Sequence, residues 1–332
     1  LFSSLPVPIK ASNNESFSAQ AVEELSSYKL GKDVHCRPAV LISPSDPEKS
    51  DIPYPIVLEN ISIRYDVHCQ VTCIGQQDKL GRFIVIRRES NDSDLVEYFL
   101  RTMEVHIKSI ELSPSFSQVA SMVDKLVELF RALSQPSKKS IQGLWAELLI
   151  IAESSDPKLL LQAWHAKPDD RYDFYAGKQC IEVKSSSEQS RIHHFSLEQL
   201  NPPGDMKVIV ASILVHRSND GFSVVDIMDK LRSHLCEDYD LLAHLHQNVA
   251  VTLGSDWRQA SFIKFDKQYS EQSIKIYNAS SIPSVSCPVP LEVSDVRFKS
   301  NVSRIIPLNS KSLIDEGGLY STIAHLGSEN KY

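Results

Sequence analysis

The sequence predicts a mixed chain of the α+β or α/β class. A β-rich N-terminal domain precedes an α/β region with a mixed central sheet flanked by helices. Three observations carry this. Residues 1–110 hold short β-branched runs separated by Pro, Asp, Asn and Gly. In Ser115–Leu133, apolar residues Val119, Met122, Val123, Leu126, Val127, Leu129 and Phe130 recur at helical spacing. Residues 141–235 then read as helix, hairpin, buried strand and helix, the order that puts a covering helix on each side of a sheet.

Taken in order, Ala39–Ser43, Ile56–Leu58, Ile61–Tyr65, His68–Ile74 and Phe83–Arg88 read as strands, and Pro-rich Ser43–Pro55 as a loop. Leu95–Val105 reads as a helix or a helix–strand unit. The polar connector Ser134–Ser140, with its Pro, marks the internal boundary, so the expected division is 1–112, 113–140 and 141–332. Ile141–Ser154 and Leu159–Trp164 read as helical, and Lys167–Arg171 as a charged loop. Tyr172–Tyr175 and Gln179–Ser185 form a hairpin around Ala176-Gly177-Lys178, because a Gly between two short β-prone runs reads as a turn. Arg191–Phe195 is extended. Ser196 and Gln199 have capping-box spacing. The apolar run in Lys207–His216 suits a buried strand. Ser223–Leu235 and Tyr239–Gln247 are amphipathic helices, and Phe262–Phe265, Ser273–Tyr277 and Val296–Ile306 alternate like late strands.

Composition excludes several classes. The 332 residues are 42% hydrophobic and 23% charged with a net charge of −7, which suits a globular protein better than a broad nucleic-acid coat. The longest strongly apolar run, Val208–Val215, is too short to span a bilayer. Leu1–Lys10 lacks the layout of a signal peptide. The cysteines at 36, 69, 73, 180, 236 and 287 form no C-x-x-C pair, which reads as reduced thiols and a cytoplasmic setting. His35, Cys36, His68, Cys69 and Cys73 match no zinc-finger spacing. No G-x-G-x-x-G, phosphate-binding loop, G-x-S-x-G or H-E-x-x-H is present.

The chemistry concentrates in YDFYAGKQCIEVKSSS, residues 172–187. Alternate strand residues share a face, so Glu182 and Lys184 point one way and Ile181 and Val183 the other. Asp173 lies across the hairpin, about opposite Ile181. Two carboxylates and an amine therefore converge, a set that suits Mg²⁺ or Mn²⁺ and hydrolytic chemistry. The commoner alternative for such a pair is a solvated cross-strand ion pair. Lys138, Lys139, Lys167, Arg171, Lys178, Arg191 and His193 cluster in sequence around the hairpin as a phosphate-binding rim, or as ordinary solvated groups.

Glu147 within GLWAE, then Asp173, then Glu182-Val183-Lys184 resembles the PD-(D/E)XK nuclease superfamily, the fold of many restriction endonucleases. GLWAELLII, YDFYAGKQCIEVKSS and HHFSLEQL resemble more narrowly an uncharacterised bacterial family assigned to that superfamily and linked to restriction and phage-defence loci. The resemblance implies a restriction-endonuclease-like core. It implies that Asp173, Glu182 and the Val183 carbonyl ligate Mg²⁺ or Mn²⁺, that Lys184 positions water, and that Glu147 acts from the helix through water. It implies a metal-dependent endonuclease acting on DNA, partnered by a helicase or methyltransferase of the same system, with a homodimer as the analogy with restriction enzymes suggests. Tyr172 stands where the superfamily has Pro. A literal Pro-Asp occurs at Pro168-Asp169, but Asp173 is preferred because it belongs to the hairpin. Two alternatives stay open: a non-catalytic nucleic-acid-binding or scaffold module, and a nuclease acting on RNA or branched structures.

Overall fold

The computed structural model describes residues 2–9, 15–22, 25–45, 52–73, 79–89, 93–165, 170–235, 238–285, 289–290 and 292–326. The chain divides into two units: Leu1–Pro136 with Leu242–Arg258, and Ser137–Leu241 with Gln259–Tyr332.

The first unit is built on strands β1 (Glu15–Val22), β2 (Leu25–Asp33), β3 (Pro38–Ile42), β4 (Ile56–Val57), β5 (Ile61–Thr72) and β6 (Lys79–Arg88). Their order is β1-β2-β3-β6-β5-β4, and a further pairing of β1 with β5 closes five of them into a barrel. The β1–β5 seam is parallel, from Glu15↔Cys69 to Ser18↔Thr72, and the other barrel pairings are antiparallel. The β-rich half is thus a closed barrel, which leaves fewer exposed edges than an open sheet. Phe17, Ala19, Ala39, Leu41, Cys69, Val71, Phe83 and Val85 form a buried cluster. They are alternate residues of their strands, as the two-residue strand period requires. At Gly31 a Cβ would meet Ser18 O at 2.7 Å and Ala19 Cβ at 2.8 Å, so β1 and β2 pack closely there only with glycine.

Sequence and structure differ in this unit in instructive ways. Ile61–Tyr65 and His68–Ile74 read as two strands, but one strand, β5, runs from Ile61 to Thr72, with its pairing to β6 shifting register between Arg64 and Val67; Ile74 lies outside the described residues. Asp66, at φ 54°, lies in that irregularity and pairs with Arg82. The five zinc-like residues do not converge: Cys36 is exposed at φ 61°, and adjacent His68 and Cys69 are exposed and buried respectively. Helices α1 (Ser93–Lys108) and α2 (Phe116–Ala132) follow. Ser115 caps α2 in a capping box: its Oγ accepts the Gln118 N–H, and its own N–H donates to Gln118 Oε1 at 2.8 Å.

The second unit contains α3 (Ile141–Glu153), α4 (Pro157–Ala163), β7 (Phe174–Ala176), β8 (Gln179–Ser186), β9 (Ile192–Ser196), α5 (Leu197–Leu200), β10 (Lys207–Leu214), β11 (Arg217–Phe222), α6 (Val224–Leu235), the start of α7 (Tyr239–Leu253), β12 (Lys275–Asn278) and β13 (Arg297–Asn301). A mixed sheet runs β12-β10-β8-β7, with β8 and β10 parallel and the outer pairs antiparallel. A second ribbon pairs β9 with β13. On one side, Cys180, Val208, Val210 and Tyr277 pack with Tyr172, Phe195 and Leu200. Helix α3 is buried from Leu144 to Ala152 and packs on β8 and α6, with Trp145 Nε1 donating to Phe222 O at 2.8 Å. Phe262–Phe265 is not a strand; only Phe265 makes isolated bridges, to Arg217 and Phe222. Among the described residues, no helix is long and apolar enough to cross a membrane.

Candidate metal centre

Helix α3 starts where Ser140 Oγ accepts the Gly143 N–H at 3.1 Å. Two turns later it delivers Glu147, which is 2% exposed. Helix α4 begins at the Asp156 cap with Pro157 in its first turn and ends at Trp164. Trp164 forms an antiparallel bridge with Phe174, and the His165 N–H donates to Asp173 O at 3.1 Å. This pairing sets His165 beside Asp173. Their side-chain ligand atoms and those of Glu147 all lie within 4.8 Å of one another.

The β7–β8 hairpin is tighter than the sequence suggests. Ala176 pairs with Gln179, leaving the two-residue turn Gly177-Lys178 with Gly177 at φ 60°. Phe174, not Asp173, is opposite Ile181. The expected register was therefore one residue out, and Asp173 sits just before the strand. It is 4% exposed, and its Oδ2 accepts the Val183 N–H at 2.8 Å.

Lys139, assigned to the rim on sequence, reaches into the carboxylates. Its Nζ donates to Glu147 Oε1 at 2.7 Å, pairs with Asp173 Oδ1, and lies 3.4 Å from His165 Nε2. Glu147 Oε2 accepts the Trp164 indole N–H at 2.9 Å and lies 3.1 Å from His165 Nε2. Beside this group, Glu182 Oε1 takes Lys184 Nζ and the Gln199 amide, each at 2.7 Å. Glu182 Oε2 is buried and has no hydrogen-bond partner among the described residues. Gln199 also caps Ser196 and accepts from Lys184 Nζ at 3.3 Å, so the capping box of α5 doubles as the bracket for Glu182 and Lys184.

Charge follows from this packing. Burial and the Asp173 carboxylate push the Glu182 carboxyl up to about 7. Burial would also raise Asp173, but the Lys139 ammonium and the Val183 N–H hold it below the ordinary carboxylate range. Burial works against the charge of Lys139, yet Asp173 and Glu147 hold its ammonium above the ordinary lysine range.

Two proposed rim residues are not at a rim. Arg191 is 6% exposed and donates to Ser212 O, Ser212 Oγ and Ser273 O. His193 is 3% exposed, its Nε2 2.7 Å from Ser212 Oγ, and burial with nearby Lys184 pushes its imidazole down to about 4. Both are structural supports of β9 and β10. Lys138 and Arg171 are exposed, and exposed Lys178 pairs with Asp205. Pro168 and Asp169 lie outside the described residues, as does Lys167. His165 and Gln199 carry no motif of their own. A polar residue at a helix end facing the hairpin was the available signal for the first, and the N3 position of the capping box for the second.

The family described as "Putative PD-(D/E)XK family member, (DUF4420)" matches residues 2–303. The chain belongs to this family. The family match takes in the barrel, Glu147, the hairpin and β9, and ends just after β13. No curated protein and no solved structure matches the chain. The donor set fits a divalent cation of the kind that PD-(D/E)XK nucleases use. Carboxylate oxygens suit Mg²⁺ and Mn²⁺. Glu182 Oε2, buried and without a hydrogen-bond partner among the described residues, is one further carboxyl oxygen on the same hairpin.

Proposed function

We propose that the chain is a metal-dependent nuclease with a restriction-endonuclease-like core that hydrolyses DNA phosphodiester bonds in a restriction or phage-defence system. The observation that supports this best is the convergence of Glu147, Asp173 and His165, whose ligand atoms lie within 4.8 Å of one another, beside the Glu182–Lys184 pair of β8, whose carboxyl feels the Asp173 charge. Asp173, Glu182, Glu147 and His165 would hold a divalent cation. Such a cation supplies Lewis-acid stabilisation of charge on a scissile phosphate.

The chain's own residues do the rest. Lys184 is tethered by Glu182 and Gln199 and has a side chain 20% exposed, so its ammonium is oriented yet open to an incoming phosphate or water. Trp164 fixes the second Glu147 oxygen, which keeps that carboxylate turned toward Asp173. The barrel serves recognition or assembly, and a helicase or methyltransferase, or a second copy of the chain, partners the enzyme.

The test uses protein stripped with EDTA, then supplied with Mg²⁺ or Mn²⁺ and plasmid DNA. Asp173→Asn should abolish cleavage, and Asp169→Asn should leave it nearly intact. Reversal of the two outcomes would move the motif to Pro168-Asp169. Cleavage of RNA or branched DNA alone would change the substrate. Failure on every nucleic acid would favour the non-catalytic scaffold reading, which one observation supports: Lys139 fills the space among the carboxylates.

A further inference from the structure

We infer that Lys139 is a built-in counter-cation that stands at the metal position of this site and is displaced when a divalent cation binds, so that this lysine sets the site's metal affinity. The inference rests on the metal-dependent reading above and adds a residue that no part of the sequence motif contains.

The geometry is that of a substituted ligand. Glu147, Asp173 and His165 present three ligand atoms within 4.8 Å of one another. The ammonium of Lys139 contacts all three residues: Glu147 Oε1 at 2.7 Å, Asp173 Oδ1, and His165 Nε2 at 3.4 Å. A cation coordinated by those atoms and the ammonium would claim the same space, and like charges at such separation repel. The two occupants therefore exclude each other.

The lysine is placed to leave. It comes from the connector just before α3 rather than from a helix or strand, and its side chain is 35% exposed while both partner carboxylates are buried. Turning the head out breaks no backbone hydrogen bond of a regular element. In its absence the buried carboxylates face one another uncompensated, a state that a divalent cation relieves. Wild-type affinity is then reduced by the fraction of molecules in which Lys139 is out: if that fraction is about one in ten, the apparent affinity falls about tenfold.

The experiment is Mn²⁺ titration by calorimetry on the EDTA-stripped full chain, comparing wild type, Lys139→Gln, Lys139→Arg and Lys138→Gln. Lys139→Gln should bind Mn²⁺ about tenfold or more tightly, Lys139→Arg no more tightly than wild type, and the exposed neighbour Lys138→Gln like wild type. In parallel, wild-type protein is labelled with an amine-reactive ester and mapped by mass spectrometry, which requires no variant to fold. Lys139 should label faster once Mn²⁺ is added. Equal affinity in wild type and Lys139→Gln, an equal gain in Lys138→Gln, or labelling that Mn²⁺ slows or leaves unchanged would overturn the inference and leave the metal-dependent nuclease standing. If neither wild type nor Lys139→Gln binds Mn²⁺, the metal-dependent reading falls, and this inference with it.

Discussion

Glu182→Gln removes a charge with almost no change of shape, and its effect on stability should depend on pH. The Glu182 carboxyl is raised from an ordinary 4.5 to about 7, first by burial and then by Asp173. A raised carboxyl means that the folded state holds its proton more tightly than the unfolded chain. Its favourable contribution is complete below 4.5 and is lost as pH rises through 7. Two and a half pH units at about 1.4 kcal/mol each come to about 3 kcal/mol. Glutamine does not titrate, so in EDTA the variant should gain on wild type by about that amount between the acid and alkaline ends of the window. Any fixed penalty of the amide cancels in the difference. Asp173 shifts the other way, and its contribution is lost only as pH falls below the ordinary 3.8, outside the window. For a domain of this size about 3 kcal/mol corresponds to roughly 6–12 °C in Tm. Thermal unfolding of both proteins at pH 5 and pH 8 reads most of it, since the unfolded carboxyl is already largely ionised at pH 5. A gap that is constant with pH, or that widens toward acid, would refute the reasoning.

Three further outcomes follow from single contacts. Trp164→Phe deletes the indole donor to buried Glu147 Oε2 and should cost about 1–2 kcal/mol in urea unfolding; an unchanged midpoint would show that water takes the donor's place. Arg191→Met strips three acceptors of their donor and should destabilise by about 2–4 kcal/mol, and on the nuclease reading proposed above it should leave the salt dependence of DNA binding unchanged; a salt slope lower by about one would return Arg191 to the phosphate rim. Gly177→Ala adds a Cβ that meets no atom within 4 Å but must hold φ 60°, so a loss of about 1 kcal/mol is expected; no loss in thermal unfolding would mean that the turn relaxes.

The legible parts of the chain were those where pattern and packing agree. Helices α2, α3 and α6 bury the apolar stripes visible in the sequence. The run of β10 is apolar from Val208 to Leu214 except at Ser212, because its side chains are buried on both faces of the sheet. Strands β1 and β2 were missed because ESFSAQAV and LSSYKLGKD are rich in Ser, Ala and Lys, which are weak strand formers on their own, and only pairing within the barrel makes these segments strands. Barrel closure was equally invisible, since the β1–β5 pairing joins residues some fifty apart. At the site, Asp173, Glu182 and Lys184 stood out because they are close in sequence. Lys139 did not, because Lys138 looks identical beside it and only the exit angle of the connector sends one lysine inward and leaves the other in water.

The two units are threaded through each other along the chain, and this bears on how the protein is made. The first unit takes Leu242–Arg258 back after a hundred residues devoted to the second. That returning segment is held firmly: Tyr98 stacks near Trp257 with ring centroids 5.2 Å apart, and the Ser255 N–H donates to Gln135 O at 2.8 Å. On the ribosome, the barrel unit therefore waits for residues made well after α3 and the hairpin. Synthesis at about 5–20 residues per second delays its completion by several seconds. A nascent chain halted before residue 242 would carry an unfinished first unit with apolar surface around Tyr98 uncovered. A gene cut near Ser113 would strand 242–258 without its partners, so neither half is a module that recombination can move alone.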